Sequence, residues 1–210
     1  MKHIIINVGR QLGSGGHDIG RMLALDFQAK YYDRELLNLA AKESGLSEKI
    51  FEQNDERKGF FRGLLNIGTP HVNSFKPDLS QESLFQFQSD AIRKAAKEGS
   101  CVFVGRCADY VLRDFPRVVN IFVTASMEAR AKLFMQEKNV SYEEAVKRIQ
   151  QVENRRASYY NYYATGTWGD VNNYDLCVDT GTFGIAGSVE LIRKSIRIRE
   201  KKLESGDEAW

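Results

Sequence analysis

HIIINVGRQLGSGGHDIGRML, residues 3–23, decides the fold. Residues 3–8 are a short β-branched run suited to a buried strand, and it ends directly on glycine. Beyond the glycines, Ile19, Met22 and Leu23 recur at helical spacing, and residues 29–33, AKYYD, read as a second short strand. Strand, glycine turn, helix and strand make a β-α-β unit, which favours a parallel sheet. Five of the 17 glycines (Gly9, Gly13, Gly15, Gly16 and Gly20) crowd into this one segment. A strand that ends on glycines and turns into a helix presents bare backbone N–H groups at the positive end of a helix dipole. Glycine also admits positive φ and lets an anion approach the backbone. Gly13, Ser14, Gly15, Gly16 and His17 are therefore read as a phosphate cradle, in preference to a tight turn that binds nothing.

Working outward, residues 35–44 read as a helix with Leu36, Leu37, Leu39 and Ala40 on its buried side. Residues 53–80 lack regular periodicity. They hold a charged run (Asp55 to Lys58), Phe60, Phe61 and two of the three prolines, and are expected to be a mobile or substrate-covering insertion. A helix over 81–98 stops at Gly99, and a third strand over 101–104 ends on Gly105 and Arg106. A helix over 108–113, a strand over 118–123, two long charged helices over 126–137 and 142–163, a strand over 175–179 and a helix over 186–201 complete the chain. Five strands alternating with helices predict one α/β domain over residues 1–202, a three-layer α/β/α fold on a five-stranded parallel sheet. Residues 203–210 are expected to fray.

Thirty Lys and Arg stand against 28 Asp and Glu, a formal charge of +2 in 210 residues. That balance suits a local anion site and excludes a protein that coats a nucleic-acid polymer. No apolar run is long enough for a membrane span or a signal peptide. Cys101, Cys107 and Cys177 form no CxxC pair, and their odd number reads as reduced thiols in a cytoplasmic protein. His3 and His71 have no partner at metal spacing.

Two phosphate-binding patterns can be tried on the loop. The dinucleotide pattern GxGxxG fails, because Asp18 stands where its third glycine belongs, although Asp33 lies about where a ribose-binding acid would be. GxxxxGK[ST] fails too: with Gly15 as the second glycine, Arg10 stands at the first, Gly16 replaces the lysine and His17 the hydroxyl.

The remaining segments break the tie. GRQLGSGGHDIGRMLA, YYDRELL, VFVGRCADYVL, VNIFVTASMEARAKL and NRRASYYNYYATGTWGDVNNYDLCVDT occur in order over most of residues 3–200. In this the chain resembles the cytidylate-kinase-like family, relatives of the P-loop nucleoside monophosphate kinases. The resemblance implies a P-loop kinase fold with a small helical lid near 142–172. It also implies ATP with Mg2+ as the phosphoryl donor and a nucleoside monophosphate, CMP-like, as acceptor. The matched places are the phosphate loop, the acceptor-site entrance at Asp33 and Arg34, the nucleotide-site Arg106, and a lid bearing Arg155 and Arg156. Asp179 joins Asp33, Arg34 and Arg106 as a substrate-side residue, and Asp33, Asp170 and Asp179 are the carboxylates to weigh for magnesium.

The departures are specific. Beyond the missing lysine and hydroxyl, Val104-Gly105-Arg106 stands where the pattern has Asp-Gly-Arg, and Arg34 stands where Ser or Thr follows the aspartate. Arg10, Arg155 and Arg156 are the candidate catalytic cations that could replace the lysine, since a guanidinium fork suits phosphate oxygens. Four residues keep a second reading: Arg10 as a solvated turn residue, Asp33 as a helix N-cap, and Arg155 and Arg156 as surface charge. Tyr159, Tyr160, Tyr162 and Tyr163 could stack a base, or could form a packed helix edge or a homodimer contact. Trp168 is read as an anchor within a hinge-like turn. The functions in competition are an ATP-dependent phosphotransferase and a degenerate nucleotide-binding sensor or structural module. A Rossmann oxidoreductase lacks its fingerprint.

Overall fold

The computed structural model describes residues 3–43 and 79–205. The elements run β1 (Ile5–Arg10), α1 (Gly16–Asp26), β2 (Lys30–Tyr32), α2 (Arg34–Glu43), α3 (Leu79–Glu98), β3 (Cys101–Val104), α4 (Ala108–Val111), β4 (Val118–Thr124), α5 (Met127–Lys138), α6 (Tyr142–Tyr163), a 3-10 turn (Val171–Asn173), β5 (Leu176–Asp179) and α7 (Thr180–Ser205). All pairings are parallel, in the order β2-β3-β1-β4-β5. This is the expected α/β/α fold.

Alternation along β1 divides the core between two faces. Ile4, Ile6 and Val8 face α1 and α7, meeting Ile19, Leu23, Val189, Ile192 and Ile196. Ile5 faces the opposite layer with Leu37, Ile92, Phe103 and Leu112. β1 is flanked on both sides and its first four residues are buried, which is why its run is apolar without polar alternation. One polar pair interrupts it: Asn7 donates across the sheet to Asn120, opposite it in register, at 2.8 Å. The chain leaves β1 toward β2 and leaves β3 toward β4, so the strand order reverses between β1 and β3. A ligand crevice in an open α/β sheet forms at the carboxyl ends of the strands at such a reversal.

α5 and α6 form a hairpin capped by Ser126 and Ser141, whose hydroxyls accept from the N–H groups of Ala129 and Glu144. Ala131, Ala145 and Ile149 bury its seam. The far end of α6 docks on the main body, where Tyr163 stacks on Phe85 with ring centres 3.9 Å apart.

Several sequence expectations need correction. Met22 and Leu36 are exposed, since the buried stripes of their helices run through Ile19 with Leu23 and through Leu37. The helix expected over 108–113 is a single turn, ended by turns at Arg113 and Phe115 ahead of Pro116, which disfavours helical backbone before it. α7 starts six residues early as a capped turn and kinks at Gly184 (φ 64°, ψ 173°), a conformation open essentially to glycine alone. The segment after the kink is the expected helix. It continues through Ser205, since Arg, Glu, Lys and Leu are all good helix formers, and the rest of the tail expected to fray, 206–210, lies outside the described residues. The insertion expected over 53–80 lies outside the described residues, except that α3 already starts at Leu79. Leu39 and Ala40 lie on α2, but their burial is also outside what is described. Cys101 and Cys107 are buried, Cys177 is exposed, and none is disulfide-bonded. Among the described residues no helix is long and apolar enough to cross a membrane.

Candidate functional site

The site candidates lie at or just beyond the carboxyl ends of strands or on α6, except Asp170, which caps the 3-10 turn ahead of β5. Gly13 (φ 79°) and Gly15 (φ 73°) take left-handed backbone, and Gly15 caps α1 without a side-chain hydrogen bond. The first N–H groups of α1, on Gly16, His17 and Asp18, have no carbonyl partner within the helix and point outward from its start. The Ser14 hydroxyl does not join them: Ser14 is buried and its Oγ donates inward to the Gln11 carbonyl at 2.9 Å. The Ser14 backbone is engaged as well, its N–H donating to the Gln11 carbonyl at 3.5 Å and its carbonyl accepting from Thr180.

The loop is braced by residues that the sequence reading did not single out. Arg130 of α5 is buried; it donates from Nε to the Ala125 carbonyl (2.9 Å) and from Nη1 to the Leu12 carbonyl (3.3 Å), and pairs with Glu153 of α6. Its stem lies against Gly13, where a Cβ would come within 3.2 Å. Thr180 Oγ1 donates to the Ser14 carbonyl at 2.9 Å, and the Gln11 side chain accepts from the Ala125 N–H at 3.2 Å and from the Thr124 hydroxyl. These partners are mostly carbonyls distant in the chain, which leave no spacing signal.

The arginines converge. Arg156 Nη1 donates to the Arg10 carbonyl at 2.9 Å. Arg10 runs from the end of β1 across to Gly105, and Arg106 lies over the Tyr159 ring at 5.0 Å. Gly105, Arg106 and Cys107 all have positive φ, a tight turn whose two non-glycine members each cost about 1–3 kcal/mol. Burial, then Arg156 and Arg106, push Arg10 down to about 9, and burial pushes Arg156 down to about 10. Arg34 is lowered too, by burial and then by Arg106, with a smaller push from Arg155. Arg155 itself is exposed on α6. Five guanidiniums from β1, α2, the β3 turn and α6 thus face a common region, and like charges gathered this way favour an anion.

The carboxylates are engaged differently. Asp33 caps α2, its Oδ1 accepting from the N–H groups of Glu35 (3.0 Å) and Leu36 (3.1 Å). Its Oδ2 lies 3.6 Å from His17 Nε2, while Tyr31 Oη sits 3.0 Å from His17 Nδ1. Asp170 caps the 3-10 turn, and Asp179 accepts from the Gly181 N–H at 2.7 Å. Among the described residues no three His, Cys, Asp or Glu side chains gather as a metal site. The described residues form no all-protein magnesium cage, and magnesium enters below only as part of the substrate MgATP. Tyr160 and Tyr163 are buried in a cluster with Cys107 and Ala164 that Phe85, Tyr159 and Trp168 flank, so they follow the packed-edge reading. Trp168 anchors edge-on against Phe122.

The model of the cytidylate kinase-like family matches residues 5–182. The chain is similar to a cytidylate kinase of Methanothrix thermoacetophila, 32% identical over 108 residues, or 51% of this chain and 61% of the relative. Against a cytidylate kinase of Pyrococcus horikoshii it is 25% identical over 195 residues, covering 92% and 88%. Among solved structures, an uncharacterized protein from Eubacterium ventriosum superposes with a TM-score of 0.71 at 26% identity, covering 92% of this chain and 98% of that one. A gluconokinase from Sinorhizobium meliloti, at 12% identity, shares the fold alone (TM-score 0.58, 97% of each chain). With a family match that spans most of its length and carries the glycine loop, the chain belongs to the cytidylate kinase-like family.

Proposed function

We propose that the protein is an ATP-dependent phosphotransferase that moves the γ-phosphoryl group of ATP to a nucleoside monophosphate, CMP-like, or another small anionic acceptor. The observation that carries this reading is that Arg10, Arg34, Arg106, Arg155 and Arg156 lie close enough to act on one another's charge, with Arg10 packed against Gly16 at the start of α1. Phosphoryl transfer is catalysed chiefly by positioning and by stabilising charge on the equatorial oxygens. In this reading the N–H groups of Gly15, Gly16 and His17 receive donor phosphates. Arg34 and Arg106, at the ends of the α2 and β3 side, hold the acceptor's anionic group. Arg155 and Arg156 approach the migrating phosphoryl group from α6, whose docking excludes water. Asp33 orients His17 beside the loop, and Asp179 holds the start of α7 next to it.

A second reading has its own support. Gly16, His17 and Val104 replace the usual lysine, hydroxyl and aspartate, and Asp33, Asp170 and Asp179 are all occupied as caps, as a nucleotide-binding module without turnover could tolerate. Coupled ADP release, measured with MgATP across the common nucleoside monophosphates, separates the two. Saturable turnover with one acceptor, falling about 10²- to 10³-fold in Arg155→Ala, is the expected result. MgATP binding without turnover on any acceptor would establish the module instead.

A further inference from the structure

We propose that the phosphate loop has exchanged its glycine and its cation. Arg10, at the place of the first glycine of GxxxxGK[ST], carries the charge that a lysine carries from position 16, and it takes the terminal phosphates of a nucleoside triphosphate. This rests on the phosphate-loop reading above and assigns its missing cation.

The argument starts from volume. A Cβ built on Gly16 would lie 2.5 Å from Arg10 Cβ and 2.9 Å from Arg10 Cγ. No two side chains can share that space, so positions 10 and 16 admit one stem between them. In GxxxxGK[ST] the stem belongs to the second position and glycine to the first; here the assignment is reversed. Arg10 cannot simply shift aside. Its backbone is fixed in register with Val123, and its carbonyl is held by Arg156.

The stem leads the charge to the right place. Arg10 Nη1 rests on Gly105, 2.1 Å from where a Cβ would fall, and the φ of 76° there is one that glycine adopts freely. The guanidinium therefore crosses the ends of β1 and β3, the point where the strand order reverses, beside the start of α1. Its charge is felt at His17 and Asp33 on one side and at Arg106 and Arg156 on the other. Repulsion from each of those two arginines exceeds the attraction of Asp33, so the charge is poorly compensated within the protein. Phosphate oxygens placed between the α1 N–H groups and these guanidiniums would supply the counter-charge.

Affinity for MgATP, measured by calorimetry, and melting temperature test the exchange in five chains: the parent, Arg10→Gly, Arg10→Gln, Gly16→Lys and the double variant Arg10→Gly/Gly16→Lys. Arg10→Gln keeps the Cβ and Cγ that fill the space beside Gly16 and loses the charge, and it should bind about 10- to 100-fold more weakly. It serves in place of Arg10→Gly if the glycine variant does not fold. Gly16→Lys alone should melt lower and bind no tighter, because two stems then compete for one space. The double variant should melt above Gly16→Lys and recover most of the affinity lost in Arg10→Gly. Unchanged affinity in Arg10→Gln, or a folded double variant that binds no better than Arg10→Gly, would overturn the exchange while the phosphate-loop reading stands. A parent chain that does not bind MgATP would overturn both.

Discussion

His17 stands where a magnesium-holding hydroxyl belongs in the P-loop pattern, and its surroundings set its charge. Burial lowers its pKa below 6.5, Arg10 lowers it further, and Arg21 adds to this, while Asp33 and Asp18 act in the opposite sense. The imidazole is thus neutral at pH 7, free to hydrogen-bond with Tyr31. The folded-state value lies below the unfolded one, so the unfolded chain binds more protons between the two. Stability contributed here is present above pH 6.5 and is lost as the pH falls through the lowered value. A proton NMR titration should place the His17 C2–H midpoint below 6.5, and Arg10→Gln should move it upward. His17→Gln should flatten the fall in stability in that window. A midpoint unmoved by Arg10→Gln would mean that the guanidinium does not act on the loop as the geometry requires.

Between elements, Arg130 on α5 and Glu153 on α6 form a largely buried ion pair, and Arg130 also fastens the loop carbonyl of Leu12. Removing one partner of such a pair leaves an uncompensated charge. Arg130→Met is therefore expected to cost about 3–5 kcal/mol in urea denaturation. Adding Glu153→Gln should return part of that loss, because the orphaned charge is gone and the two effects do not add. Equal costs for the single and double variants would show that Arg130 acts through its carbonyl contacts alone. In sequence, Arg130 reads as one more charge on a charged helix. Thr180, which pins Ser14, reads as an ordinary residue after a strand. Each is defined by a partner at least 23 positions away, so no local pattern announces it.

For the molecule as a whole, a ligand at the strand ends touches groups from both halves of the chain and should stabilise all of it. MgATP at about 100 times its dissociation constant should add about 2.7 kcal/mol. In a chain of this size that raises the melting temperature by roughly 5–10 °C. Arg156 holds the end of β1 as well as facing the site, so Arg156→Ala should lower both the starting temperature and the ligand-induced rise. A variant that loses only the first would confine Arg156 to a structural role.

The sequence by itself determined the layers. A β-branched run, glycines and a helix repeat, then four more strand–helix alternations, dictate a parallel sheet covered on both faces, because period and length are local properties. It also singled out the glycines at positions 13, 15 and 16 and the arginines that the proposed function draws on. Tertiary structure alone decided what those arginines face. It chose the capping role for Asp33 while leaving one carboxylate oxygen toward His17, buried Tyr160 and Tyr163 in the packed edge of α6, and turned the Ser14 hydroxyl inward. It also showed that Arg10 and Gly16 compete for one volume. Charge and volume act through space, and residues six or ninety-six positions apart become neighbours only once the strand order places β1 between β3 and β4.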